Sequence, residues 1–141
     1  MRTNEGCIFC AIVAGRAPAH RVAEDEHAVA FMDLFPVAEG HTLVIPKDHA
    51  ENVFEMEEEA MCAVAALARR VARAIRAEIA PDGLAVYQAN GEAAGQTVWH
   101  YHQHLLPRRR GDPMSFHGRG KEEDARLRTI AAKIAARVEP A

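Results

Sequence analysis

Histidines occupy every second position in His100-Tyr101-His102-Gln103-His104, and that alternation fits an extended strand better than any other element. Strand side chains alternate between faces, and residues two apart lie about 7 Å from each other, so the three imidazoles form one short row. Wound into a helix, the same stretch would keep His100 and His104 together and turn His102 away. The flanks agree with a strand: Thr97-Val98-Trp99 leads in, Tyr101 is aromatic, and Leu105-Leu106 follows before Pro107 ends the run. A row of ring nitrogens on one face can hold phosphate oxygens or a metal ion.

The rest of the chain supplies a sheet for that strand and helices to cover it. Ile8 to Val13 reads as a helical turn or two stopped by Gly15. Arg21-Val22-Ala23 and Ala28-Val29-Ala30-Phe31-Met32 read as a hairpin turning at Glu24-Asp25-Glu26. His41-Thr42-Leu43-Val44-Ile45 is apolar almost throughout and belongs in the middle of the sheet. From about Met56 to Ile79, Val64, Leu67, Val71, Ile75 and Ile79 recur at three or four, the period of a long helix. Pro81-Asp82-Gly83 breaks it, and Leu84-Ala85-Val86-Tyr87 starts a fourth strand before Asn90-Gly91. After loop-like residues from Gly111 to Gly120, Glu122 to about Val138 forms a terminal amphipathic helix through Leu127, Ile130 and Ile134. The expected class is α+β: a five-stranded antiparallel sheet with a long central helix and a C-terminal helix.

At 141 residues and 49% hydrophobic content, the chain is expected to be one domain with a core that needs no staple. A net charge of −3 argues against coating a nucleic acid polymer, and Arg108-Arg109-Arg110 reads equally as a solvated turn or a phosphate-facing spot. With no apolar leader and no run of about 18 apolar residues, the expectation is a cytoplasmic protein without a membrane partner. Three cysteines do not make a disulfide framework. Cys62, in an Ala-rich helical run, reads as a small core residue, whereas Cys7-Ile8-Phe9-Cys10 offers two sulfurs at chelating spacing.

Taken in order, Cys7-Ile8-Phe9-Cys10, Phe31-Met32-Asp33, Gly40-His41-Thr42-Leu43-Val44-Ile45-Pro46-Lys47 with His49, Asn90-Gly91 and the run from Ala94 to Arg108 resemble the histidine triad (HIT) family. The similarity covers about residues 7–110 and leaves 111–141 as a C-terminal loop and helix. It implies a nucleotide hydrolase or transferase in which His102 attacks an α-phosphorus to give a covalent nucleotidyl-histidine, with His100 and His104 orienting it or donating to phosphate oxygen. A neutral imidazole suits that role, since its ordinary pKa of about 6.5 leaves most of it unprotonated near neutrality. The resemblance further puts Asp33 on the ribose and Ile8, Phe9, Phe31, Leu34 and Leu43 around the base. Asn90, Gln96 and Thr97 would add neutral donors, with Val98 beside them, and Gly95 would let backbone approach phosphate.

For these residues the plain alternatives are core packing for the apolar set and a turn cap before Pro36 for Asp33. The family also implies a structural zinc ion held by Cys7, Cys10, His49 and His100, against which stand free buried thiols. No organic cofactor is implied, and a homodimer is, for which Met61, Val64, Ala65 and Ala68 offer a small-residue stripe. Gln103 departs from the apolar residue usual at its position, on the face opposite the histidines. The Ala-Gly-Gln-Thr-Val and Leu-Pro-Arg wording leans toward dinucleoside polyphosphate hydrolases rather than nucleoside phosphoramidases. A nucleotide-binding sensor and a hydrolase with a metal on all three histidines are the competing functions. His20, His27, His41 and His117 have no partner pattern and read as surface or core packing.

Overall fold

The apolar runs assemble into a five-stranded antiparallel sheet in a computed structural model that describes residues 1–114 and 120–141; His117 lies outside the described residues. Strands β1 (Arg21–Glu24), β2 (Ala28–Met32), β3 (Thr42–Pro46), β4 (Gly83–Tyr87) and β5 (Gln103–Arg108) lie in the order β1-β2-β3-β5-β4. The middle place of β3 follows from its composition: all five of its residues are buried, as are all five of β2.

Alternation then divides the sheet into two faces. Ala28, Ala30, Met32, Val44 and Leu105 point to one face, where helices α2 (Glu58–Ile79) and α3 (Asp124–Ala135) cover them. Val29, Phe31, Leu43 and Ile45 point to the other, where the short helix α1 (Ile8–Val13) lays Phe9 and Ile12 over them. The α2 stripe of Val64, Leu67, Val71 and Ile75 is buried as its period requires. The helix ends with Ala80 in the left-handed conformation before Pro81, and Arg109 donates to the last carbonyls, Ile79 O and Ala80 O. Arg109 and Arg110 are exposed at the turn after β5, as the solvated reading of the arginine run has it, and Arg109 also caps the helix.

Several expectations change. The histidine strand starts at Gln103, so His100 and His102 stand in the approach to β5 rather than in its ladder. The β3–β5 ladder covers only Thr42–Val44 against Leu105–Gln103, and Tyr101 N–H instead reaches Ala50 O beyond the end of β3. Pro107 does not end β5, which runs on to Arg108; the β3 ladder has stopped at Leu105, so the missing N–H breaks no rung on that side. Cys62 is exposed rather than core, because it sits two positions from Val64 and so about 200° around the helix. Val64 and Ala68 are buried in the chain's own core and Met61 packs against it, leaving Ala65 alone of that stripe exposed for a partner. Gln103 does face away from His104, toward α2, where its amide donates to Tyr101 Oη.

Candidate active site

Cys7 and Cys10 meet His49 and His100 although the pairs are far apart in sequence. Cys7 caps α1, its sulfur accepting Cys10 N–H, so the first helical turn brings both sulfurs together. Cys7 Sγ lies 3.3 Å and Cys10 Sγ 3.6 Å from His100 Nδ1, Cys10 Sγ lies 3.2 Å from His49 Nδ1, and the two Nδ1 atoms are 3.2 Å apart. His100 Nε2–H donates to Pro46 O at 2.8 Å. That bond leaves Nδ1 without a proton, its lone pair toward the sulfurs, as a metal ligand requires. Two sulfurs and two imidazoles converging this closely are the donor set of a closed tetrahedral zinc site. Burial pulls His100 down to about 4 and raises the Cys10 thiol, so these two groups come together uncharged in the absence of a metal.

His102 and His104 take a different direction. His102 Nδ1–H donates to the His100 carbonyl at 2.7 Å, which places the free lone pair on Nε2. His104 is fixed through a third residue: Val37 N–H donates to His41 Nδ1 at 3.1 Å, so His41 carries its proton on Nε2 and donates it to His104 Nδ1 at 2.9 Å. His104 must then hold its own proton on Nε2. The two rings stand 4.9 Å apart, an acceptor next to a donor. All of these rings are held neutral, mainly by burial: His41 and His102 fall below the ordinary histidine value, and His104 falls to about 3 with His102 and His41 adding to the effect.

The three triad histidines therefore do not share a metal. Asp33, His41 and His104 also cluster tightly enough to be weighed as a cation site, but the His41 proton occupies the position a metal would need. The cluster is better described as an ordered chain in which Asp33 Oδ2 lies 3.5 Å from His41 Nε2 while Oδ1 accepts Phe35 N–H at 2.8 Å. Asp33 is thus both the turn cap and a partner for histidine.

A cavity of about 730 Å³ opens in front of His102 and His104. Ile8, Phe9, Phe31, Leu34, Leu43 and Asp33 line it, as do Gly95, Gln96, Thr97 and Val98. Phe9 stands edge-on to both His102, at 5.3 Å, and His100, at 5.8 Å, forming the wall between the cysteine cluster and the cavity. Asn90 is not on the cavity wall; its amide holds Val53 N–H and pairs with Gln88. The Gln96 amide is likewise engaged, by Gly91 N–H, Glu51 O and Val98 O, so it orders the loop rather than offering free donors. Gly95 has φ 98°, a backbone that glycine adopts freely, and a Cβ there would meet open space.

Two residues of the site escape a reading from sequence. His41, 1% exposed, follows from register: Leu43 sits opposite His104, so His41, two residues earlier on the same face, comes beside that ring. Tyr87 also lines the cavity and pairs directly with His104 across β4 and β5.

Comparison with known proteins gives consistent matches. The profile of the family described as HIT domain matches residues 14–111. "Protein hit" of Bacillus subtilis is 44% identical over 142 residues, covering 98% of each chain. A hypothetical histidine triad nucleotide-binding protein from Sulfolobus tokodaii superposes with a TM-score of 0.86 at 34% identity, covering 94% of this chain and 91% of that one. A Zn-bound histidine triad family protein from Mycobacterium smegmatis superposes with a TM-score of 0.79 at 42% identity, covering 92% and 94%.

Proposed function

The chain belongs to the HIT domain family, and on that premise we propose that it hydrolyses or transfers nucleotides at the α-phosphate of a purine nucleotide conjugate through a covalent nucleotidyl-histidine. The observation that carries the reading is the bond from His102 Nδ1–H to the His100 carbonyl, which leaves Nε2 as an unprotonated nucleophile on the cavity wall. Attack forms an Nε2–phosphorus bond and breaks the bond from phosphorus to the leaving group, which departs with the electron pair and, where it is an amine, takes up a proton from solvent water to leave neutral. His104 Nε2–H is the donor for a phosphoryl oxygen as charge develops there. Water then attacks the same phosphorus, returns His102 to its neutral form and releases the nucleoside monophosphate.

The two ends of the cavity have the chemistry for the two ends of such a substrate. Ile8, Phe9, Ile12, Phe31 and Leu43 make an apolar slot for a base, and the Asp33 carboxylate is the acceptor for ribose hydroxyls. Among the described residues no lysine or arginine lines the cavity. Arg108, the nearest guanidinium in the strand, is held by Pro113 O and Asp112. The Arg108 charge nevertheless acts on His41 and Tyr87 in the lining, and the choice between a phosphoramidate and a dinucleoside polyphosphate is the one the test below makes.

The reading includes a structural zinc ion on Cys7, Cys10, His49 and His100, supported by their donor chemistry and by the Zn-bound relative. It also includes a reducing cytoplasmic setting, which suits free thiols, and a homodimer across β4, an edge strand with Val86 exposed. No helix among the described residues is long and apolar enough to cross a membrane.

Intact-mass spectrometry after brief mixing with a nucleoside phosphoramidate and, separately, a dinucleoside polyphosphate tests the proposal. The wild type is expected to gain one nucleotidyl mass with one of the two, which makes that choice. His102→Ala is expected to gain none and to lose turnover by at least about 10³-fold. Nucleotide binding without adduct or turnover in the wild type would replace the enzyme by a nucleotide-binding module.

A further inference from the structure

Tyr87 and His104 are direct cross-strand partners, and their rings lie face to face with centroids 4.1 Å apart and planes within 2°. Its neighbours include His41 at Nδ1, the His102 ring tilted 60° to it, and Leu43 opposite it on β3. A single hydrogen bond at Nδ1 leaves the ring free to swing, because the final torsion of a histidine side chain is broad and soft. A parallel ring against its face removes that swing. We propose that Tyr87 is a positioning residue for His104, its stacked phenol ring fixing the imidazole plane so that Nε2–H is aimed at the reacting phosphoryl group. The proposal rests on the nucleotidyl-transfer reading above and adds to it the residue that orients the donor.

The role proposed for Tyr87 is that of its ring face. Burial, reinforced by Asp33, raises the phenol to about 12, so the ring stays neutral throughout the working range. Stacked pairs of this sort shift an equilibrium about 2- to 12-fold, which sets the size of the effect to look for.

The test uses the full chain as Tyr87→Leu and Tyr87→Phe, with a nucleoside phosphoramidate of an aromatic amine as the probe and a thermal melt to establish that each variant is folded. Tyr87→Leu is expected to lower kcat about tenfold with KM changed by less than about twofold. Tyr87→Phe, which keeps the ring face, is expected to restore most of that loss. In ¹⁵N–¹H spectra the His104 imidazole should give one sharp tautomer in the wild type and in Tyr87→Phe, and broadened resonances in Tyr87→Leu. An unchanged kcat in Tyr87→Leu, a loss carried wholly by KM, or a Tyr87→Phe variant as impaired as Tyr87→Leu would overturn the proposal. Should the wild type turn over no nucleotide conjugate, the enzyme reading fails by itself. The imidazole spectra would then still decide the stacking role, and unchanged His104 resonances in Tyr87→Leu would dismiss it.

Discussion

His104 is an ordinary imidazole placed where it cannot take up a second proton. Burial, then its neighbours His102 and His41, holds it at about 3 in the folded chain, whereas an unfolded chain protonates histidine near 6.5. Between those values the unfolded state binds a proton that the folded state refuses, so stability falls as pH drops through the window and is level above it. The melting temperature is expected to fall from pH 7 to pH 5 in the wild type and less steeply in His104→Gln, and the difference between the two slopes isolates this one group. Equal slopes would mean that His104 is not held neutral. The alternating histidines identify such groups directly in the sequence. Their protonation does not appear there, because it depends on the Val37 amide and the His100 and Pro46 carbonyls that each ring meets.

At the scale of elements, α1 is the weak member and the informative one. Six residues do not sustain a helix alone, yet α1 carries Cys7 and Cys10 to the histidine pair and Phe9 to the wall of the cavity. A metal on the four ligands would fasten α1 to the sheet and, through Phe9, fix the side of the base slot. Cys10→Ala is therefore expected to lose zinc on elemental analysis and to lower the melting temperature by about 5 °C or more. It is also expected to weaken nucleotide binding more than it slows kcat. Full zinc occupancy with an unchanged melt would show that Cys10 is not a ligand, and a zinc-free wild type would show that the cluster holds no metal. The periodicity of α2 and the apolar runs of β2 and β3 made those elements legible because each buries a whole stripe or strand of its own sequence. The start of β5 was not legible, since it depends on where β3 stops pairing.

Over the whole molecule, the C-terminal segment lies beyond the part matched by the family profile and is nevertheless integrated with the site. α3 contributes Leu127, Ala131 and Ile134 to the core on the helical face. At its entrance Glu122 N–H donates to Leu34 O at 3.0 Å, and Arg126 pairs with Glu39 at 2.6 Å, bracing the turn that presents Asp33. Leu127→Ala is expected to destabilise the chain by about 2–5 kcal/mol, read from urea denaturation; a loss within about 0.5 kcal/mol would mean that α3 is only loosely docked. What the sequence determined by itself was the chemical inventory and its local geometry: which residues face inward, which stretch is helix or strand, and that histidines and cysteines recur at useful spacing. Tertiary structure alone decided that Cys7 meets His100 across 93 residues and His41 meets His104 across 63. Local periods act over a few residues, whereas these encounters depend on strand order, on register between distant strands, and on backbone groups that become neighbours only when the sheet closes around them.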